Sequence, residues 1–370
     1  MISRRQTVSW FALVLGVCVL TGCVGGPPAD VGPDPFADVP RAEQTVFAFG
    51  SCLKAGRPAP LFEDIIALDP DAWVMLGDNV YVDVPFVPRS GVPFDRKYAE
   101  LAATDYWPRL TATTPVYAVW DDHDYGKNDA GREWGLKQLA KEKMFDFFGV
   151  PADHPARARE GVYQRYFFGE PGRRVQLILL DTRWFRDRLA HKRGEGARFG
   201  GPYGPTLDTT RTILGEAQWA WLEKVLREPA DLRLIGSSIQ VVSRQHGKEC
   251  WGNFPHELDR LYATIAAAGA EGVVFVTGDR HHGELSRDTD DGTPYPMWDL
   301  TTSGINEKPR AKRERNRYRV GPVRRIPNYG VVRVDWSSPT PRVELSLRTL
   351  GDEVFSRAVV GLDELTPTLR

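Results

Sequence analysis

Val74-Met75-Leu76-Gly77-Asp78-Asn79-Val80-Tyr81-Val82-Asp83 is the stretch whose reading decides the fold. The apolar run from Ala72 to Leu76 reads as a buried strand that stops at a glycine, with a carboxylate directly behind it. Open α/β sheets present ligand-binding groups at the carboxyl ends of their strands in this manner. Gly77 permits a tight turn that aims Asp78 into a shared crevice, and Tyr81, three residues on, reaches back to the same point. Taken alone, a Gly-Asp is equally a strand end with its aspartate capping a helix. Three further strands that end alike decide the matter.

Upstream, Thr45 to Phe49 is a β-rich run ending in Gly50-Ser51-Cys52. Downstream, Pro115 to Trp120 ends in Asp121-Asp122-His123-Asp124 with Asn128 close behind, and Val273 to Thr277 ends in Gly278-Asp279-Arg280-His281-His282-Gly283-Glu284. The spacing predicts helices over Leu61 to Leu68, Arg96 to Leu110, Trp134 to Phe148, Glu216 to Arg227 and His256 to Ala268. Val175 to Leu180 and Leu232 to Val242 read as further strands, and Gly330 to Trp336 and Arg342 to Leu347 as two late ones. Alternation of strand and helix is the pattern of an α/β protein. With no internal repeat and no strong second linker, residues 44–370 read as one catalytic domain.

Four strand ends thus carry a thiol, carboxylates, a phenol, an amide and an imidazole. That mixture of hard and soft donors suits a cluster of unlike metals better than a single structural zinc. A thiolate and a tyrosinate favour a ferric ion, while carboxylates and an amide oxygen suit a hard divalent ion such as calcium or manganese. A carboxylate between two ions can bridge them, and Asp78, central among the segments, is the candidate.

The composition belongs to a globular protein, 42% hydrophobic and 26% charged, with 11 Trp to fill a core. A formal net charge of −1 excludes a nucleic-acid protein held by bulk electrostatics. At the amino terminus, Arg4-Arg5, the apolar stretch Trp10 to Leu20 and Leu20-Thr21-Gly22-Cys23 read as a removable export signal over residues 1–22. The apolar run is too short for a comfortable membrane span. Leu-Thr-Gly-Cys resembles a bacterial lipobox, with Cys23 lipidated, so the protein is expected at the cell envelope, lipid-anchored to a membrane. Ser3-Arg4-Arg5 partly resembles a twin-arginine signal. Residues 23–43, rich in Gly, Pro and Asp, read as a flexible tether.

Gly-Ser-Cys, Gly-Asp-Asn-Val-Tyr, Trp-Asp-Asp-His-Asp with Asn128, and Gly-Asp-Arg-His, in that order, resemble the PhoD-like alkaline phosphatases and phosphodiesterases of the calcineurin-like metallophosphoesterase superfamily. The resemblance runs from about residue 45 to about 337. It implies a four-layer αββα sandwich, two central mixed β-sheets with helices outside. It also implies a site of Fe3+ with Ca2+, in which Cys52, Asp78, Tyr81 and His281 surround iron. Asp78 again, Asp121 or Asp122, Asn128 and Asp279 serve calcium, and Asp279 could serve either ion. The long amino-terminal β-domain of many members is missing here, which points to a shorter, lipoprotein-like subgroup.

The implied reaction is hydrolysis of phosphate mono- or diesters by a metal-activated hydroxide, with no phosphoenzyme. His123 contacts phosphate or protonates the leaving oxygen, or else is a hydrogen-bonded histidine behind the ligands. Arg183 clamps a phosphoryl oxygen, or forms an internal salt bridge. His246, in the loop with Trp251 and Phe254, either walls the substrate pocket near the metals or simply packs. Glu307 to Arg325 holds nine Lys/Arg against two acids and reads as a solvated loop. It is also the one hint of a phospholipase acting on lipid headgroups. A phosphate-binding surface lipoprotein without turnover is the alternative from another class. The oligomeric state is not legible.

Overall fold

The structure is a computed structural model that describes residues 31–84, 90–192, 201–307 and 314–367. The export signal and Cys23 therefore lie outside the described residues. Among those described, no helix is long and apolar enough to cross a membrane.

The strands, in chain order, are β1 (Gln44–Gly50), β2 (Ala72–Leu76), β3 (Val116–Val119), β4 (Gln164–Phe168), β5 (Val175–Leu179) and the two-residue β6 (Ala190–His191) and β7 (Tyr203–Gly204). There follow β8 (Leu232–Ser237), β9 (Val273–Thr277), β10 (Gly283–Asp288), β11 (Met297–Thr302), β12 (Arg319–Arg324), β13 (Tyr329–Asp335), β14 (Arg342–Thr349) and β15 (Glu353–Gly361). One large sheet has the order β15-β14-β13-β1-β2-β3, the other β12-β10-β11-β9-β8-β5-β4, and β6 pairs with β7 apart from both. β1, β2 and β3 run parallel, as do β5, β8, β9 and β11. Helices link β1 to β2, β2 to β3, β5 to β8 and β8 to β9 and keep to the outer faces because the inner faces bury one another, while β10 leads from β9 to β11. β2, β5 and β9 are accordingly buried at every position. The architecture is the expected four-layer sandwich.

The parallel strands of both sheets deliver their carboxyl ends to the same edge, and polar side chains stitch the sheets together there. Trp120 behind β3 donates its indole N–H to Asp181 behind β5 at 2.9 Å. Ser51 behind β1 donates to the Thr302 carbonyl of β11 at 3.1 Å.

Some elements differ from the sequence reading. The helix expected over Arg96 to Leu110 is two, Val92–Ala102 and Tyr106–Thr113. Thr104 breaks it, because its hydroxyl bonds back to the Leu101 carbonyl and then accepts from the Trp107 N–H. β8 stops at Ser237 rather than Val242, since the N–H groups of Val241 and Val242 turn to the Asp299 carboxylate at 3.1 and 3.0 Å. β10 and β11 escaped notice because they bury Ser286, Asp288, Asp299 and Thr301, which masks the period-two apolar pattern. Part of the expected solvated basic loop is β12, with Arg319 bonded to buried Glu284 at 2.6 Å. Residues 308–313 of that segment lie outside the described residues.

The expected tether is also shorter. Phe36 is buried, with the guanidinium groups of Arg333 and Arg342 5.2 and 5.1 Å from its ring centre. Arg357 donates to the carbonyls of Val31, Gly32 and Pro33. One aromatic residue and a row of arginines across β13, β14 and β15 suffice to dock a segment whose composition alone suggested freedom.

Candidate metal centre

The turn after β2 is built first. Gly77 has φ 100°, and a Cβ there would come within 2.5 Å of the Asp121 Cβ. Only glycine lets the end of β2 pass this closely to the end of β3. The neighbouring turn is tied to it, because Leu53 N–H bonds the Asp78 carbonyl at 2.9 Å. Cys52, Asp78, Asp83, Asp129, Asp279 and His281 all hold positive φ without being glycine. Such backbone persists where the surroundings over-determine it, and here it gathers at one place.

Around Asp78 the side chains close in. Cys52 Sγ lies 3.4 Å and the Tyr81 hydroxyl 3.0 Å from Asp78 Oδ2, and the His123 N–H donates to Oδ1 at 3.3 Å. Donor atoms of Cys52, Asp78 and His281 lie within 4.8 Å of one another, and so do those of Asp78, Asp122 and His123. The two groups share Asp78. A third such group, Asp122 with Asp129 and Glu249, shares Asp122. Asp122, Asn128 and Asp279 line one cleft of about 220 Å³ together with Asp78, His123 and His281.

Electrostatics test whether this set fits cations. Burial, then the neighbouring Cys52 charge, pushes the Asp78 carboxyl well above the usual carboxylate range. Burial and Asp78 do the same to the Tyr81 phenol, and burial pushes the Cys52 thiol to about 11. As anions these groups repel one another in a medium that solvates them poorly. A bound cation reverses that logic by ionising thiol, phenol and carboxyl together, so the donor set fits metal. Cys52 and Cys250 are both free thiols, and Cys52 stays available as a ligand.

His123 sits on the rim of this cluster. Its Nδ1 lies 2.6 Å from Asp83 Oδ1 and its Nε2 3.9 Å from Asp122 Oδ1. Its ring packs against Tyr81, with centroids 4.2 Å apart. Burial pulls its pKa down, but Asp78, the Asp83 hydrogen bond and Asp122 pull harder the other way, to about 11.

The two adjacent aspartates have opposite fates. Asp122 faces the cleft, whereas Asp121 points into the protein and accepts from Arg183 Nε at 2.7 Å and Ser238 Oγ at 2.6 Å. Arg183 corrects the expectation of a phosphate clamp. It is fully buried, and both its terminal nitrogens bond Glu249 at 2.8 Å, so the internal salt bridge is its role. His246 is not on the pocket wall either. Its ring is buried behind the loop, where Nδ1 accepts the Lys248 N–H at 3.1 Å. His282 and Glu284 lie behind the cluster, 3.4 Å apart.

Sequence reasoning passed over Asp83, Asp129, Glu249, Tyr203 and Lys248. Asp83 had a usable signal, lying in the same turn as Asp78. Tyr203, whose hydroxyl meets Asp129 at 2.5 Å, and Glu249 had none, because only the fold brings them from remote loops.

Comparison with known proteins follows the same line. A protein-family model described as PhoD-like phosphatase matches residues 47–334. No sequence among the curated proteins matches significantly. A solved structure titled "Structure of PhoD" superimposes with a TM-score of 0.66 at 19% identity, covering 89% of this chain and 70% of that one. Purple acid phosphatase PPD1 from yellow lupin seeds gives 0.57 at 12% identity, covering 86% of this chain and 54% of that one. These two likenesses show the fold.

Proposed function

The chain belongs to the PhoD-like phosphatase family and is a metal-dependent phosphoester hydrolase; from that premise we propose how its residues divide the work and where it acts. Cys52, Asp78, Tyr81 and His281 would hold one ion, iron as Fe3+, and Asp78, Asp122, Asn128 and Asp279 would hold a second, calcium. The observation that carries this reading is the pair of donor groups sharing Asp78. When bound, the metals supply acidified water and offset charge on the phosphoryl oxygens.

The chain's own residues do the rest. His123 presents Nε2 toward the cleft while Asp83 fixes Nδ1, which orients the imidazole to protonate a departing alkoxide. Arg183 keeps Asp121 and Glu249 in place from behind. The substrates are phosphate monoesters, diesters or both, and the cleft's lining of carboxylates, imidazoles, an amide and cations suits the phosphoryl group with its metals. Residues 1–22 are removed on export and Cys23 carries a lipid, so the enzyme works at the membrane surface of the cell envelope.

Protein purified without added metals tests the centre. Elemental analysis should find iron and calcium in comparable amounts. Hydrolysis of 4-nitrophenyl phosphate or its bis-ester should vanish under chelation and return with those ions. Turnover that survives exhaustive chelation would sink the reading. For the anchor, Cys23→Ser should leave the protein unprocessed or release it from membranes. An unmodified amino terminus elsewhere, found by mass spectrometry, excludes it.

A further inference from the structure

We propose that Lys248 binds a terminal, unesterified phosphoryl oxygen of the substrate, and thereby favours phosphate monoesters and inorganic phosphate over diesters. This rests on the phosphoester reading above and names the residue that tells one ester from another.

Among the described residues, the arginines on or just behind the cleft wall are spent. Arg280 bonds Asp279 at 3.1 Å and is paired with Glu314. Arg183 and Arg186, behind the wall, are paired with Glu249 at 2.8 and 3.0 Å. Lys248 lines the same cleft, is only partly buried, and has no ion pair among the described residues. A lysine with no carboxylate partner among the described residues, on the same cleft as Asp122, Asp129 and Asp279, is a cation kept for something that arrives.

The position is built rather than incidental. The Lys248 N–H is fixed by His246 Nδ1, and the carbonyl of Gly247 accepts the Tyr203 N–H at 2.9 Å. A Cβ on Gly201 would meet the Gly247 oxygen at 2.2 Å and Lys248 Cδ at 2.9 Å. The lysine stem therefore runs along a slot that exists because Gly201 has no side chain. Its neighbour Glu249 lines the cleft too, but its carboxylate is taken by Arg183 and Arg186.

Chemistry gives the preference its direction. A monoester carries one more unesterified oxygen, and more negative charge, than a diester. Asp78, Asp122 and Asp279 would be matched by the metals, so the extra substrate charge needs another partner. An ammonium supplies one as a compact point charge, through a charge-assisted hydrogen bond.

The test compares the metal-loaded full chain with Lys248→Met and Lys248→Arg. Readouts are steady-state hydrolysis of 4-nitrophenyl phosphate and bis(4-nitrophenyl) phosphate, and calorimetric titration with inorganic phosphate. Lys248→Met should lower monoester kcat/KM by roughly 10- to 30-fold, mainly through KM, and weaken phosphate binding to a similar degree. The diester should lose less, so that the monoester-to-diester ratio falls by about tenfold. Lys248→Arg should recover most of the loss, and metal content and melting temperature should match wild type in both variants. Equal losses on both esters, no loss on either, or loss of metal from Lys248→Met would each overturn the proposal. If wild type turns over neither ester, the phosphoester reading itself fails. Phosphate titration then decides Lys248 separately: weaker binding in Lys248→Met upholds it, and unchanged or absent binding overturns it.

Discussion

Two clusters of buried charge stand in this molecule, and they are balanced in different ways. On the β13–β14–β15 side, Glu344 is fully buried with Arg333, Arg348 and Arg357 around it, the first at 2.6 Å. At the other, Asp78 is buried among Cys52, Tyr81 and Asp122, with His123 and His281 beside it. Burying a charge is tolerable only when it is compensated. The chain supplies the compensation itself around Glu344, and that cluster is part of the scaffold. Around Asp78 it supplies acids in excess, and that cluster is completed from outside. Asp121 and Asp122 put the same contrast into one dipeptide: the first is matched by Arg183, the second turns to the cleft.

The largest effect should come from unbalancing the open cluster. Asp78→Asn puts a neutral amide in place of the anionic ligand proposed to be shared, so at least one ion should leave and turnover should fall by about 10³-fold or more. The fold should suffer much less, because the apolar strand beneath is untouched, although lost metal lowers the melting temperature somewhat. His123→Ala is the counterpart within the same cluster. Metals should stay while turnover drops by roughly 10²-fold, most for poor leaving groups. Metal content, melting temperature and turnover on both variants separate the two roles. Retention of two metals and near-normal hydrolysis in Asp78→Asn would mean the bridge is elsewhere.

Arg183→Met asks whether the internal network is scaffold or machinery. It strands Asp121 as an uncompensated buried carboxylate and leaves Glu249 to Arg186 alone, and removing one partner of such a pair costs about 3–5 kcal/mol. Denaturant unfolding should show that loss. Lys in its place should restore little, since a point charge cannot span both carboxylates. A variant of wild-type stability with only KM raised would instead revive the phosphate clamp.

These contrasts also explain what the sequence made legible. Strand ends were readable because β2 and β9 are continuous apolar runs that stop at Gly-Asp, a local signal. The identity of the cleft-facing aspartate was not, because Asp121 and Asp122 differ only in partners 60 or more residues away, Arg183 and Ser238. Arg183 stayed ambiguous for the same reason, since Glu249 lies 66 residues on. Lys248 carried no local mark at all; its meaning comes from which neighbours lack a partner for it. The docking of residues 31–39 was hidden by composition, since one Phe among Gly, Pro and Asp looks like linker until the arginines of β13, β14 and β15 are brought beneath it.

That docked segment gives the smallest and cleanest contrast, because it borders the balanced cluster and touches no part of the open one. Arg333 is shared between Glu344 and Asp34, and Phe36 lies on the faces of Arg333 and Arg342. Phe36→Ala removes a buried ring packed on arginine side chains and should cost about 2–3 kcal/mol, below the range for a central core position. Asp34→Ala should cost less, about 1 kcal/mol at most, because the carboxylate is 42% exposed and solvent screens the pair. Its pH dependence has a definite sign. Burial pushes the Asp34 carboxyl up, but the Arg333 hydrogen bond, the Phe36 N–H and the Arg333 and Arg357 charges outweigh it, so its pKa lies below the ordinary 3.8. The unfolded chain therefore takes up the proton first as pH falls, and the contribution of Asp34 is present at neutral pH and fades below about 3.8. Unfolding midpoints of wild type and Asp34→Ala should differ at pH 7 and converge in acid, with metal content and hydrolysis at pH 7 equal throughout. A change in turnover from either variant would show that the two clusters are coupled through the sheets, and the division between scaffold and site would have to be redrawn.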